Sequence, residues 1–250
     1  MKDSAPRFAT PLDTPRPRGA HLFEAFSPKL GRRVRLFNRA NFSQWIRLEA
    51  DPSVLFQCER PARLGIDCDA RLIDFWVRRD GLEELLVLAH GEAEPAVPDQ
   101  FGGVALRVIA PAELAAANIW GTNWQRMLPV INATRTLFPK SLAKSIVAFV
   151  REPIALACIE RRFSIGEPPL VRGVIFDLLR TGRLCAPALH TRPLSLQTLL
   201  EPVSRTADES HPNWIRLCGR RSTPVHCPTG SSQRSLPVDK RSSCMRPMPH

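Results

Sequence analysis

Apolar and polar positions along this chain change period near Pro111. Before it the spacing is mostly two, and after it three to four. Residues 31–37 alternate basic and apolar side chains, which predicts a short edge strand. Phe42, Trp45, Ile46 and Leu48 fall at helical spacing. Residues 41–50 therefore read as a helix, with Asn41 as N-cap and Asp51-Pro52 as the stop. Residues 54–58 read as a strand. Residues 72–77 and 85–89 flank Arg79-Asp80-Gly81, and Asp-Gly is a hairpin signal. The 85–89 run is apolar at every position, as in a central strand covered on both faces. Residues 104–109 add another strand. The 31–110 stretch thus predicts a small mixed sheet with at least one helix.

From Pro111 the pattern is helical. Residues 111–131 open with Pro at a first helical position. Segments 139–150, 153–163 and 169–180 follow, then a turn at Gly182 and a stretch at 184–189. This is a helix-turn-helix rhythm with a short wing. Arg161, Arg162, Arg172, Arg180 and Arg183 bring positive charge to it and are the candidate DNA-binding residues. Trp120 and Trp124, four apart, read as a packed apolar face rather than a base-stacking platform.

The two ends look different. Residues 1–30 are rich in Pro and Arg without a sustained period, and are expected to form a mobile arm with 22–26 as a docked turn. Residues 205–250 are dense in Ser, Arg, Pro and Cys. They have too little apolar periodicity to offset ordering entropy, so a disordered basic tail is expected. Their composition also resembles an out-of-frame translation of GC-rich DNA. The expected division is 1–30, 31–110, 111–204 and 205–250.

Charge sharpens this picture. The chain has 250 residues and a formal net charge of +11, which favours an anionic partner, nucleic acid above all. Part of the excess is in the tail, where eight Arg/Lys against three Asp/Glu give 8 − 3 = +5. Seven cysteines are scattered without a CxxC pair and read as reduced thiols. No apolar run reaches the roughly 20 residues of a membrane span, and no secretory leader is evident. A cytoplasmic protein without a membrane partner is expected. There is no P-loop and no GxGxxG.

Three motifs carry a resemblance: Leu48-Glu-Ala-Asp-Pro-Ser-Val54, Cys58-Glu-Arg-Pro61 and Ile73-Asp-Phe-Trp-Val77. They resemble the N-terminal domain of TnsA-like endonucleases, the cutting subunits of heteromeric transposases. The helical part, with Leu178-Leu-Arg-Thr-Gly-Arg-Leu184 and Leu194-Ser-Leu-Gln-Thr-Leu199, is similar to the region that often follows in such proteins. The resemblance covers residues 31–202. It implies a restriction-endonuclease-like α/β core, a helical, winged-helix-like C-terminal region, and as partners transposon-end DNA, a DDE transposase subunit and an AAA+ ATPase.

The resemblance also implies a site. A helix carboxylate and a strand Asp hold Mg²⁺ through hard oxygen ligands. The next strand supplies an acid or amide and then Lys two positions on, and these activate water and stabilise phosphate charge. Asp74 takes the place of the metal-binding, catalytic Asp. The helix carboxylate falls near Asn41, which leaves Glu49 as the nearest remaining candidate. Eight residues of helix turn through about 800°, so Glu49 points about 80° away from Asn41 and reads more readily as a solvated or capping carboxylate. The acid and Lys positions fall near Val87 and Ala89, which can do neither job. Glu84 and His90 lie on the opposite face of that strand, and Glu92 and Glu94 beyond its end. The expectation is a transposition-associated DNA-binding protein, impaired or inactive as a Mg²⁺-dependent endonuclease. A helix-turn-helix regulator and an active nuclease with an altered metal site are the alternatives.

Overall fold

Five strands make the central sheet, in the order β3-β4-β5-β7-β6. In a computed structural model the described residues are 5–65, 70–89, 97–164 and 168–203. They all fall within one compact unit, residues 1–211; the expected 205–250 tail lies outside the described residues. Strands β3 (Phe56–Glu59), β4 (Phe75–Arg79) and β5 (Leu82–Leu88) run antiparallel. The β4–β5 hairpin turns at Gly81, whose φ of 71° needs a residue without a Cβ. Strand β7 (Val104–Ile109) pairs parallel to β5, and the short β6 (Gln100–Phe101) pairs antiparallel to β7. The sheet is therefore mixed and the fold α/β. Asp74 lies one residue before β4, as the hairpin signal predicts.

Ahead of the sheet, β1 (Phe23–Ser27) and β2 (Arg32–Leu36) form an antiparallel ribbon. The 22–26 stretch expected as a docked turn is mostly strand. Phe23, Ala25 and Ser27 alternate inward, and the Phe23 ring stacks on Phe42 of α1 at 4.8 Å. That burial turns a weak sequence signal into a strand.

Helix α1 (Arg39–Ala50) starts two residues earlier than its apolar spacing suggests. Its N-cap is Asn38, whose Oδ1 accepts from the Asn41 amide at 2.7 Å. Asn41 is thus not the cap, and its side chain is available elsewhere. The helix stops at Asp51, before Pro52.

The single helix expected over 111–131 is two: α2 (Pro111–Ala116) and α3 (Asn118–Thr134). The break lets Glu113 of α2 meet both Arg107 at 2.8 Å and the buried Arg47 of α1 at 3.0 Å. Then come α4 (Lys140–Phe149), β8 (Ile154–Ala155), α5 (Leu156–Phe163), α6 (Pro168–Arg180), β9 (Leu184–Cys185) and β10 (Leu199–Pro202). The three short strands form a sheet in the order β8-β10-β9. Trp124 of α3 is fully buried, as expected for a packed face, while Trp120 stacks on His190.

One core cluster runs from Val34 to Leu200, through both the 31–110 and 111–204 stretches. It takes Phe75, Val77, Leu86 and Leu88 from the sheet. The opposite sheet face carries Cys58, Ile73, Trp76, Leu85, Val87 and Val104. Helices α3 and α6 cross closely at Gly173, where a Cβ would come within 2.0 Å of Thr134 Oγ1.

Candidate functional site

Asp74 and Asn41, one from the start of β4 and one from the first turns of α1, meet directly. The Asn41 Nδ2 donates to Asp74 Oδ1 at 2.6 Å, and the Leu88 main-chain N–H donates to Asp74 Oδ2 at 2.7 Å. The freed side chain of Asn41 follows from the cap at Asn38. Both groups stand where the resemblance puts metal carboxylates, and one of the two is an amide.

The neighbouring positions of β5 on this face are aliphatic, and the Arg71 guanidinium donates to the Leu88 carbonyl at 3.1 Å. Because faces alternate with period two and Leu86 pairs with Phe75, Leu86 and Leu88 join the α1 side of the sheet. Val87 faces the other way, beside Trp76 and Cys58. The expectation that Val87 and Ala89 occupy the positions beside Asp74 is therefore corrected by one residue: the neighbours on that face are Leu86 and Leu88. Glu84, on the same face, is tied to Arg79. His90, Glu92 and Glu94 lie outside the described residues.

These groups do not fit Mg²⁺. The ion takes oxygen ligands in near-octahedral array, usually with one or two protein carboxylates. Here a carboxylate faces two N–H donors. With the Asn41 amide turned over, the set would still be one carboxylate and one neutral oxygen. Among the described residues, no group of three His, Cys, Asp or Glu side chains could hold a metal ion.

Glu49 is at the other end of α1, two residues before its C-cap Asp51, and is not solvated. It is 0% exposed. Its oxygens accept from Ser27 Oγ at 2.6 Å, the Lys29 amide at 2.9 Å and Gln57 Nε2 at 2.9 Å. Lys29 covers the end of the same helix, donating to the carbonyls of Leu48, Asp51 and Val54. Burial pulls the Lys29 ammonium down to about 8, against the opposing pull of Glu49 and Asp51. The alternation of 31–37 gave no sign of this network. The Ser27-x-Lys29 spacing, at the turn of a hairpin, was the available hint.

Beside Asp74 lies an unusual backbone residue. Arg60 has φ of 50°, the left-handed region, and its N–H donates to the Asp74 carbonyl at 2.9 Å. Its guanidinium donates to the Arg35 carbonyl and lies 4.7 Å over the Phe37 ring. These contacts offset the strain of a side chain in that region.

The five arginines of the helical region divide. Arg172 is held by Glu160 through bonds of 2.5 and 2.8 Å, which raise its pKa. Arg180 is held by Asp177 at 2.7 Å. Arg161, Arg162 and Arg183 are exposed. Arg161 and Arg162 precede α6 and Arg183 follows it. Arg161 and Arg162 lie on α5 beside Glu160, the residue that holds Arg172 of α6. Helix α6 itself is buried at Val171 and from Gly173 to Phe176, on every side in turn.

No helix among the described residues is long and apolar enough to cross a membrane. No protein-family model matches the chain, and no curated protein matches it.

Proposed function

We propose that this chain is a transposition-associated, DNA-binding protein related to TnsA-like endonuclease subunits, with a restriction-endonuclease-like core that no longer cuts DNA with Mg²⁺. The observation that carries the reading is the 2.6 Å contact between the Asn41 amide and the Asp74 carboxylate. A helix residue and a strand-start Asp converge at the place the resemblance requires, on a mixed sheet, but with one carboxylate exchanged for a donor. The aliphatic Leu86 and Leu88 supply neither the acid nor the Lys that these strand positions would need to oppose charge growing on a phosphate. Loss of one such donor alone costs about 10²–10³ in rate. The remaining work is binding, in keeping with the +11 net charge. Transposon-end DNA, a DDE transposase and an AAA+ ATPase are the proposed partners, and genes for the latter two beside this one would support them.

Residues 140–202 are proposed as a winged helix. The order helix, strand, helix, helix, strand, strand, with a β8-β10-β9 sheet, supports it. This favours a second reading, a helix-turn-helix regulator, in which the nuclease-like core is only scaffold. The burial of α6 weighs against that reading, since only its first turn and part of Arg172 are left to reach a groove. The 205–250 tail is proposed as disordered on composition alone, and amide exchange tests it.

A nicking assay on supercoiled DNA in Mg²⁺ and in Mn²⁺, with Asp74→Ala alongside, tests the main reading. No cleavage is expected from either protein, with wild-type binding that weakens steeply as salt rises. Metal-dependent nicking that disappears in Asp74→Ala would identify an active nuclease with an altered site.

A further inference from the structure

The ribbon β1–β2 is basic on one face only. Its inner face carries Val34 and Leu36, both buried, and Arg32, which is held by Glu59 through two 2.7 Å bonds. Its outer face carries Arg33 and Arg35, with Phe26 opposite the first and Glu24 opposite the second. A third guanidinium, Arg135 from beyond α3, lies 3.9 Å over the Phe26 ring. Arg33 and Arg135 are exposed and have no ion pair among the described residues. Arg35 meets Glu24 at 3.4 Å, with both side chains more than half exposed, at 59% and 53%. Such a pair is weak and screened by salt, so a phosphate can displace it.

We propose that this outer face, Arg33, Arg35 and Arg135, is a surface for the phosphates of duplex DNA. The inference rests on the DNA-binding reading above and says where the duplex lies. Arginine forks bind phosphate oxygens two at a time. A two-stranded ribbon is narrow enough for the major groove, which is about 12 Å wide. Phe26 beneath Arg135 holds that guanidinium in place by a cation–π contact. The ribbon also leads to the Asn41–Asp74 pair. Phe23 stacks on Phe42, the neighbour of Asn41, and Arg60 joins the Arg35 carbonyl to the Asp74 carbonyl. DNA on the ribbon therefore runs beside the former cutting centre.

The test uses the full-length protein and a labelled duplex of mixed sequence, with fluorescence anisotropy over a series of salt concentrations. Each phosphate contact contributes a slope of about −0.9 to the plot of log affinity against log salt. The combined change Arg33→Ala, Arg35→Ala and Arg135→Ala is expected to weaken binding at least about tenfold at low salt and to flatten the slope by about two to three. The matching triple Lys variant, which keeps the charge, should retain most of the slope. Circular dichroism should show both variants folded, since all three side chains are exposed. If the wild type binds and the triple Ala variant binds as tightly with the same slope, the ribbon is not the surface, and the DNA-binding reading stands. If the wild type itself does not bind, that reading falls and this one with it.

Discussion

Helix α1 holds a carboxylate at each end, and the two are satisfied in different ways. At its C-terminal end Glu49 belongs to the helix, is fully buried, and meets a hydroxyl, a main-chain amide and a side-chain amide. A cation, Lys29, is built in beside it on the last carbonyls of the helix, where a positive charge is favoured. At the N-terminal end Asp74 comes from the sheet and meets the neutral amide of Asn41 and the Leu88 N–H. The difference is between a buried junction that locks the ribbon to the helix and a contact between one carboxylate and a neutral amide. Among the described residues, neither end is arranged for a metal. A metal site gathers acceptors facing one another, whereas both carboxylates here face donors. Burial of a carboxylate is therefore no guide to metal binding until its partners are counted.

If Glu49 is the junction, its loss should be the costliest change at either end. Glu49→Ala leaves Lys29 buried without its nearest counter-charge and strands the donors of Ser27 and Gln57. A loss of about 3–5 kcal/mol in urea-denaturation stability is expected. Glu49→Gln, which keeps the shape, should cost less. Asp74→Ala takes the acceptor from the Asn41 amide and the Leu88 N–H and should cost about 1–3 kcal/mol. A larger loss for Asp74→Ala than for Glu49→Ala would invert the comparison.

The N-terminal end can also be turned toward metal binding. Asn41→Asp places a second carboxylate within hydrogen-bonding distance of Asp74. Two like charges there should raise one pKa and destabilise the fold by about 1–2 kcal/mol at neutral pH. Millimolar Mn²⁺ should restore the midpoint of thermal unfolding in this variant and leave the wild type unmoved. An equal Mn²⁺ shift in the wild type would show that the native pair already binds the ion.

How much of this was legible depended on the kind of signal. The mixed sheet was readable because period two and the Asp80-Gly81 turn act locally. The Asp74 position was readable for the same reason. The neighbours of Asp74 were displaced by one residue, Leu86 and Leu88 instead of Val87 and Ala89, because a run apolar on both faces gives no clue to register. The N-cap was misplaced because Asn38 and Asn41 are both good caps, and only the fold decides between them. Glu49 reads as solvated or capping because its partners, Ser27, Lys29 and Gln57, all lie outside its own helix. The basic outer face of the ribbon is not legible in the sequence, because the charge of a patch depends on which arginines turn inward. Arg32 does and Arg33 does not.

The smallest expected effect is in the pH dependence of the C-terminal end. Burial lowers Lys29 from its ordinary 10.5 to about 8, and Glu49 and Asp51 only partly oppose this, while Arg180 and Arg79 add to it. A Lys lowered by folding gives up its proton in the native state before the unfolded state does. Between the two values the unfolded chain holds more protons, so stability rises with pH. Cys58 works the other way: burial, then the charge of Glu59, pushes its thiol up to about 12 from 9.0, and stability is lost as pH climbs through that range. The Lys29 effect is thus felt alone between pH 8 and 9. Relative to Lys29→Met, the wild type should gain about 1 kcal/mol over that unit of pH. Above it, the stability of the Cys58→Ala protein should keep rising while that of the wild type, where the two effects oppose, flattens. Parallel wild-type and Lys29→Met curves from pH 7 to 10 would mean that the ammonium is not held by burial, and that the two ends of α1 differ less than their contacts imply.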